Sequence, residues 1–570
     1  RGGAAGRRGA GAARMIPPAL LQALGQAQRV PEAARFEAAA FRPERAQLAL
    51  LRDTMSANRD TAFGRAYRLG EVKTLQDLQA RVPVQSYADV EPWVRRQMRG
   101  ESNVLTAETP VFFASSTGTT GQPKRTPTTQ RFRREFQRTV FVSMAHVARR
   151  FPRAFTGQIL YFVGPAELER APCGTPIGYT SGFNFTTLPK AVQSLYAWPY
   201  ELFTVKDLDA RTYLAAWLAA TRPVTFVAGI FPLAFLHFLR ELEGYAEPLA
   251  RDLRAGKLRD DIALAPAERA FFEKLARKDV RAAERIESLA RASTGLPARA
   301  VLPKLKLVYC WIGASAAYYV PEMKRRLGDG VAVRDAIYAA NEAWGNVTFG
   351  EDVLGGPIAL TSHVFELVAE SRWDRGVREG VGAWQLVEGE RYRLLVTTGA
   401  GLCRYDLADI VECTGFYRHA PRIRFVRRAG ASLSIAGEKL DEAHVTDAVT
   451  RELRRHGVEA AFFTAVPRFL PGPRWELALE LARPTSDATL AKLRGAIDTT
   501  LGEVAADYGV YRKSTLGPLA LRLIVPGEHE RVRREAIARG GQDAQLKVLH
   551  LTTDPETLAG YAVVRVVEPD

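Results

Sequence analysis

The sequence predicts an α/β protein. A large N-terminal domain combines mostly parallel sheets, helices and a small β-rich subdomain, and a smaller α+β C-terminal domain follows. Three observations predict it. Short apolar runs alternate with long helical patterns between residues 111 and 338, the pattern of parallel strands joined by helical crossovers. After about residue 355 the runs become short, β-rich and separated by glycine. From residue 437 to residue 570 a compact module follows, which is a usual size for a domain. The boundaries read as a disordered leader at 1–14, an N-terminal domain at 15–436 and a C-terminal domain at 437–570.

The elements follow in order. The leader "RGGAAGRRGAGAAR" carries four arginines and no acid, and it lacks the apolar stretch of a secretory signal. Residues 17–110 read as helices with proline-marked breaks. A strand is expected at 111–116, then a loop, then a long helix over about 128–150. Further strands are expected at 158–164, 224–230, 305–312 and 331–338, with helices between them, including the charged stretch 240–293. "GAWQLV", "RYRLLVTT", "DIVECTGF" and "RIRFVRR" supply the later β-rich runs. In the last module, helices are expected over "DEAHVTDAVTRELRRHG", "SDATLAKLRGAIDTTLGEVAADYG" and "HERVRREAIARGG". Strands are expected over "EAAFFTAVP", "RWELALELA" and "PLALRLIVPG".

Composition narrows the function. The most apolar stretch, Val224 to Leu239, is short for a membrane span and is interrupted by Pro232 and His237. Net charge is +16, but the arginines are scattered among acids on helical patterns and no nucleic-acid motif accompanies them. Neither a membrane nor a nucleic-acid partner is expected. The four cysteines, Cys173, Cys310, Cys403 and Cys413, form no CxxC pair. A reducing, cytoplasmic compartment fits them better than a disulfide framework or a zinc site.

The most informative stretch is "SSTGTTGQPK", Ser115 to Lys124. Glycine lets a backbone approach an anion closely, hydroxyls and N–H groups donate to it, and a following helix N-terminus adds its dipole. Lys124 supplies a positive charge, and phosphate is the expected guest. The stretch is not a Walker A loop, since Pro123 stands where the second glycine belongs. Three further stretches are each unremarkable alone. "YAANE", Tyr338 to Glu342, pairs a flat ring with a hard oxygen ligand. "GLCRYDLAD", Gly401 to Asp409, ends in a carboxylate that can meet two hydroxyls. Arg428 stands nine residues before Gly437.

Taken together and in this order, the four stretches resemble the motifs of the adenylate-forming superfamily. From roughly residue 40 to 560 the chain is similar to the auxin-responsive Gretchen Hagen family of acyl-acid amido synthetases. "LPKLKLVYCWIGA", "SLYAWPYELF", "TTGAGLCRYDLADIVECTGFYRHAPRIRFVRR" and "YRKSTLGPLALRLIVPGEHERV" carry that likeness. The resemblance implies an N-terminal adenylate-forming domain and a mobile C-terminal domain. It also implies an enzyme that uses ATP and Mg²⁺ to adenylate a small carboxylic acid and passes the acyl group to an amine, such as that of an amino acid.

Site roles follow from the resemblance. Ser115, Ser116, Thr117, Gly118, Thr119, Thr120, Gly121 and Lys124 would steady the phosphates. Tyr338 would pack on adenine, Asn341 would stand beside it, Asp409 would hold the ribose and Glu342 would hold Mg²⁺. Arg428, with Lys547 in a Gln-x-Lys segment, would meet charge developing on phosphate and carboxylate. Two departures stand out: Asn341 replaces the family's Ser or Thr, and Ala408 replaces its Gly. The acyl pocket is expected among residues 130–240, including "PIGYTSGFNF". An acyl- or aryl-CoA ligase and a non-catalytic nucleotide-binding relative stay open as alternatives.

Overall fold

The computed structural model describes residues 18–117, 123–229, 232–292, 297–313, 316, 320–429, 433–529, 531–532, 535 and 550–569. The expected leader and most of the helix expected over 529–541 lie outside them. Four sheets organise the chain. The first holds the strands Gln158–Tyr161, Val224–Ala228, Leu307–Cys310 and Ala332–Asp335, adjacent in that order and all parallel. Leu307–Cys310 is buried throughout, as expected of a strand covered on both faces. The helices Leu208–Thr221, Pro232–Ala255 and Val280–Ala292 pack Trp217, Leu239, Leu249 and Ile286 into one cluster.

A second sheet pairs Phe112–Thr117 with Pro123–Thr128 antiparallel and then adds Pro176–Gly178 and Glu169–Arg170. The strand Pro123–Thr128 was not expected, because its sequence "PKRTPT" holds two prolines. It lies at the sheet edge, where a missing N–H is tolerated. This corrects the setting of the loop 118–122, which joins two antiparallel strands. The helix Gln130–Arg150 starts beyond the second strand, and Thr129 caps it by accepting from the Phe132 N–H at 3.1 Å. The helix that follows the loop therefore begins beyond a strand and not at the loop itself.

The third sheet is antiparallel throughout, in the order Val381–Gly382, Val364–Ala369, Arg391–Thr397, Tyr405–Tyr417, Ala420–Arg428, Gly356–Pro357. "GAWQLV" is mostly not a strand. Only its first residue, Gly382, is paired, and the chain then becomes the 3₁₀ turn Ala383–Gln385, closed by the Gly382 N–H donating to Gln385 Oε1 at 3.0 Å.

The fourth sheet orders Ala460–Arg468, Arg474–Leu481, Ala520–Ile524 and Val563–Val567. The helices Glu442–Arg455 and Asp487–Val504 pack against each other beside it. The long helix expected over 486–509 breaks at Ala505, whose φ of −122° and ψ of 92° are not helical, and resumes as Ala506–Tyr511. The chain is thus a large N-terminal part and a smaller α+β C-terminal part. Between them Gly437 has φ +114°, and a Cβ there would lie 2.5 Å from Tyr511 Oη. Both facts demand glycine. No helix among the described residues is long and apolar enough to cross a membrane.

Candidate functional site

The strand Ala332–Asp335 ends the parallel sheet, and the chain then folds into a tight hairpin. The Tyr338 N–H donates to Asn346 Oδ1 at 2.8 Å, the Gly345 N–H to the Tyr338 carbonyl at 2.8 Å, and the Ala340 N–H to the Ala343 carbonyl at 2.8 Å. Asn341 and Glu342 therefore stand at the tip. Gly345 is required here, because a Cβ on it would lie 2.5 Å from Tyr338 Cδ1. The Tyr338 ring stacks on Phe425 with centroids 5.8 Å apart and an interplanar angle of 24°. Its hydroxyl donates to Asp409 Oδ2. Two motifs 71 residues apart are thus joined side chain to side chain.

Asp409 is buried inside the strand Tyr405–Tyr417, opposite Arg428 in the antiparallel ladder. A bulge aims it. Pairing with the strand Arg391–Thr397 skips between Arg393 and Leu395, and Ala408 takes φ +57°. The Ala408 N–H donates to Asp406 Oδ1 at 2.8 Å, and Arg393 grips Asp406 at 2.6 Å. A left-handed alanine costs about 1 kcal/mol that glycine would not, which explains why glycine is the family's choice at this position. Arg404, at φ +46°, supports the bulge from below. It is buried, ion-paired to Glu366 at 2.7 and 2.8 Å, and donates to the Val82 and Arg378 carbonyls.

Asn341 reaches two other elements. Its Nδ2 donates to the Ser115 carbonyl at 3.2 Å, and its Oδ1 accepts from the Thr180 hydroxyl at 2.7 Å. Thr180 begins the helix Thr180–Thr186, inside the stretch expected to line the acyl pocket. Phe183 of that helix stacks on Phe112, in the strand of Ser115, with centroids 4.2 Å apart. Ser115 is buried, and its Oγ accepts from Arg125, which also pairs with Glu169. Lys124 stands opposite Ser116 at the loop's mouth, with its ammonium 5.7 Å from the centre of the Tyr87 ring.

Glu342 is 9% exposed, and no hydrogen bond or ion pair among the described residues engages its carboxylate. That suits Mg²⁺, which takes one or two carboxylates and fills its remaining positions from substrate phosphates and water. Among the described residues no three His, Cys, Asp or Glu cluster at one point, so phosphate oxygens and water would complete the shell. Just upstream, Asp335 accepts from the Gly355 N–H at 2.7 Å and the Ile312 N–H at 3.2 Å. Burial still pushes its carboxyl up to about 6.

The structure brings Ser115, Tyr338, Asn341 and Asp409 into one connected set, with Glu342 beside Asn341. Gly118, Thr119, Thr120, Gly121 and Lys547 lie outside the described residues, as do the side chains of Ser116, Thr117 and Arg428. Arg125, Gly345 and Phe425 were not singled out from the sequence. Gly345 follows the "YAANE" stretch and Phe425 precedes Arg428 by three residues, but only the fold shows that both touch Tyr338.

Comparison with known proteins identifies the family. Models of the GH3 family match the chain in order: the N-terminal domain at residues 32–332, the central domain at 356–428 and the C-terminal domain at 443–556. The chain is 25% identical to the indole-3-acetic acid-amido synthetase GH3.3 of Arabidopsis thaliana over 527 residues, 88% of each chain. It is 30% identical to the putative indole-3-acetic acid-amido synthetase GH3.10 of Oryza sativa subsp. japonica over 429 residues, 70% of this chain and 83% of that one. Among solved structures it resembles the GH3.15 acyl acid amido synthetase, with a TM-score of 0.63 at 22% identity, covering 94% of this chain and 96% of that one. That likeness is one of fold.

Proposed function

The chain belongs to the GH3 family, and from that premise we propose that it is an ATP-dependent acyl-acid amido synthetase, which adenylates a small carboxylic acid and transfers the acyl group to the amine of an amino acid. One observation carries the reading: the Tyr338–Asp409 hydrogen bond, beside Asn341 bonded to the backbone of Ser115, gathers three separate motifs into one site.

Amines and carboxylates do not condense in water at useful rates. A carboxylate oxygen of the acid attacks the α-phosphorus of ATP, the bond to pyrophosphate breaks and acyl-AMP forms. The amine lone pair then attacks the activated carbonyl, the carbonyl–AMP bond breaks and the amine loses a proton. Tyr338 stacks on adenine, while its hydroxyl orients the Asp409 carboxylate toward the ribose hydroxyls. Ser115, Lys124 and the loop between them hold the β- and γ-phosphates. Glu342 holds Mg²⁺, which when bound neutralises charge developing on the phosphates. Arg428 and Lys547 meet charge on the α-phosphate and carboxylate oxygens. Holding the reactants together supplies the proximity that free solution lacks.

The acid binds against the helix Thr180–Thr186, which Asn341 ties to the phosphate loop's own strand. The domain division falls at Gly437, supported by its left-handed backbone. A reducing, cytoplasmic setting is supported by the four free cysteines.

The test is pyrophosphate release from ATP and Mg²⁺ with a panel of small carboxylic acids, run without acceptor, with amino acids and with CoA. Acid-dependent release stimulated by amino acids is expected. Asp409→Ala and Glu342→Ala are each expected to lower it about 100-fold. Stimulation by CoA and not by amino acids would replace the reading with a CoA ligase.

A further inference from the structure

A second concavity lies away from these motifs. The helix Pro18–Phe41 ends and the helix Pro43–Asn58 begins around Arg42, whose φ of −140° and ψ of 62° turn the chain. The two helices diverge there and, with the middle of the helix Gln130–Arg150, enclose a groove of about 460 Å³. That volume lies in the range of small-molecule pockets and exceeds the needs of one small anion. None of the nucleotide-site residues lines it.

Sequence spacing builds its walls. Arg35, Ala38 and Ala39 recur on one face of the first helix, Arg42 stands in the turn, and Arg45, Ala46, Ala49 and Asp53 recur on one face of the second helix. Alanines make the floor, so a ligand can approach both backbones closely. Four guanidiniums, Arg35, Arg42, Arg45 and Arg138, line the rim and wall. The single acid of the lining, Asp53, is already engaged by Arg131 at 2.6 Å. Among the described residues, no ion pair reaches Arg35, Arg42, Arg45 or Arg138. Arg138 is half-buried, and its one described hydrogen bond is a long contact to the Thr361 carbonyl at 3.4 Å. Burial and the neighbouring Arg35 charge lower its pKa, while Glu32 and Glu135 act against that.

Two arginines earlier on the same helix are engaged by acids instead. Arg131 and Arg134, about two turns and one turn earlier, pair with Asp53 and Glu108. The groove's base is also fixed. Gln47 Nε2 donates to the Leu360 and His363 carbonyls at 2.8 Å each, and the Phe365 N–H donates to Gln47 Oε1 at 2.9 Å. A rigid, concave, alanine-floored groove with several unpaired guanidiniums is suited to a ligand carrying more than one phosphate. Guanidinium forks match phosphate oxygens two at a time, and several forks across a groove favour a polyphosphate over a lone carboxylate.

We propose that the groove bounded by Arg35, Arg42, Arg45 and Arg138 is a second binding site, separate from the nucleotide site, for a soluble small molecule bearing two or more phosphates. The probe is inorganic pyrophosphate, titrated calorimetrically into the full chain. Two classes of site per chain are expected. The rim variant R42Q/R45Q, which leaves every described packing contact of the core in place, should weaken one class by about tenfold or more and leave the KM for ATP unchanged. R138Q should weaken the same class. One class of site, or two classes unaffected by R42Q/R45Q, would overturn the proposal. So would binding of the chain to phosphatidylglycerol vesicles that R42Q/R45Q abolishes while pyrophosphate binding is unchanged, since the groove would then serve a membrane surface.

Discussion

The parallel sheet and the six-stranded antiparallel sheet are built on opposite habits. The four parallel strands are short, the three from Val224 to Asp335 pair without a break in register, and Leu307–Cys310 has no exposed residue. The antiparallel sheet keeps breaking its own ladder. Its pairing shifts around Arg393 and again around Cys413, and Arg404, Ala408 and Arg418 all sit at positive φ. The regular sheet contributes burial. The irregular one contributes direction, because the bulge at Ala408 aims Asp409 at Tyr338. Fold stability and site geometry are therefore separable here, and mutations in the two regions should fail in different ways.

The largest effect should come from the regular sheet. Phe226 is buried between Phe155 and Tyr309. Phe226→Ala is expected to cost about 3–5 kcal/mol in denaturant unfolding, with the KM for ATP of the folded protein unchanged. A raised KM with stability intact would break the separation.

Asp335 marks the point where regularity ends. Its carboxyl is raised from 3.8 to about 6 by burial. A raised folded pKa contributes stability that is complete below the unfolded value and lost as pH rises through the folded one. Asp335→Asn should therefore gain on the wild type by about 2 kcal/mol between pH 4 and pH 7, read as the difference between their unfolding midpoints. A pH-independent difference would show that the carboxyl is not strained.

Gly345→Ala acts on direction alone. Its Cβ would lie 2.5 Å from Tyr338 Cδ1, so the ring must move. The KM for ATP should rise about tenfold, equivalent to about 1.4 kcal/mol of lost contact, with little change in unfolding. The smallest effect is Ala408→Gly. Relief of the left-handed alanine and the added freedom of the unfolded chain oppose each other, leaving about 0.5 kcal/mol of stabilisation. A comparable Ala216→Gly in the helix Leu208–Thr221 should instead destabilise by about 1 kcal/mol.

The same division governs what the sequence discloses. The strands around Phe226 and Val308 were legible because a strand covered on both faces is an unbroken apolar run. The strand Pro123–Thr128 was not, because an edge position tolerates prolines that argue against a strand. The strands Val364–Ala369 and Val563–Val567 also went unremarked, although both are rich in β-branched residues. At the site, Tyr338, Asn341, Glu342 and Asp409 were legible as residue types in order. Their wiring was not, since Asn341 meets Ser115 and Thr180 across separations of 226 and 161 residues, which no local pattern encodes.

That wiring closes a ring. Ser115 is bonded to Asn341, Asn341 to Thr180, and the helix that Thr180 begins returns through Phe183 to Phe112, three residues before Ser115. A closed ring cannot deform at one corner alone. Whatever shifts the helix must break a member of the ring or drag the strand that leads into the phosphate loop. Under the proposed placement of the acid, linkage would make the effect mutual: an acid seated against the helix would alter nucleotide affinity by the same factor by which nucleotide alters affinity for the acid. The coupling between the two binding events would thereby run through three contacts, and cutting any one of them should weaken it in both directions.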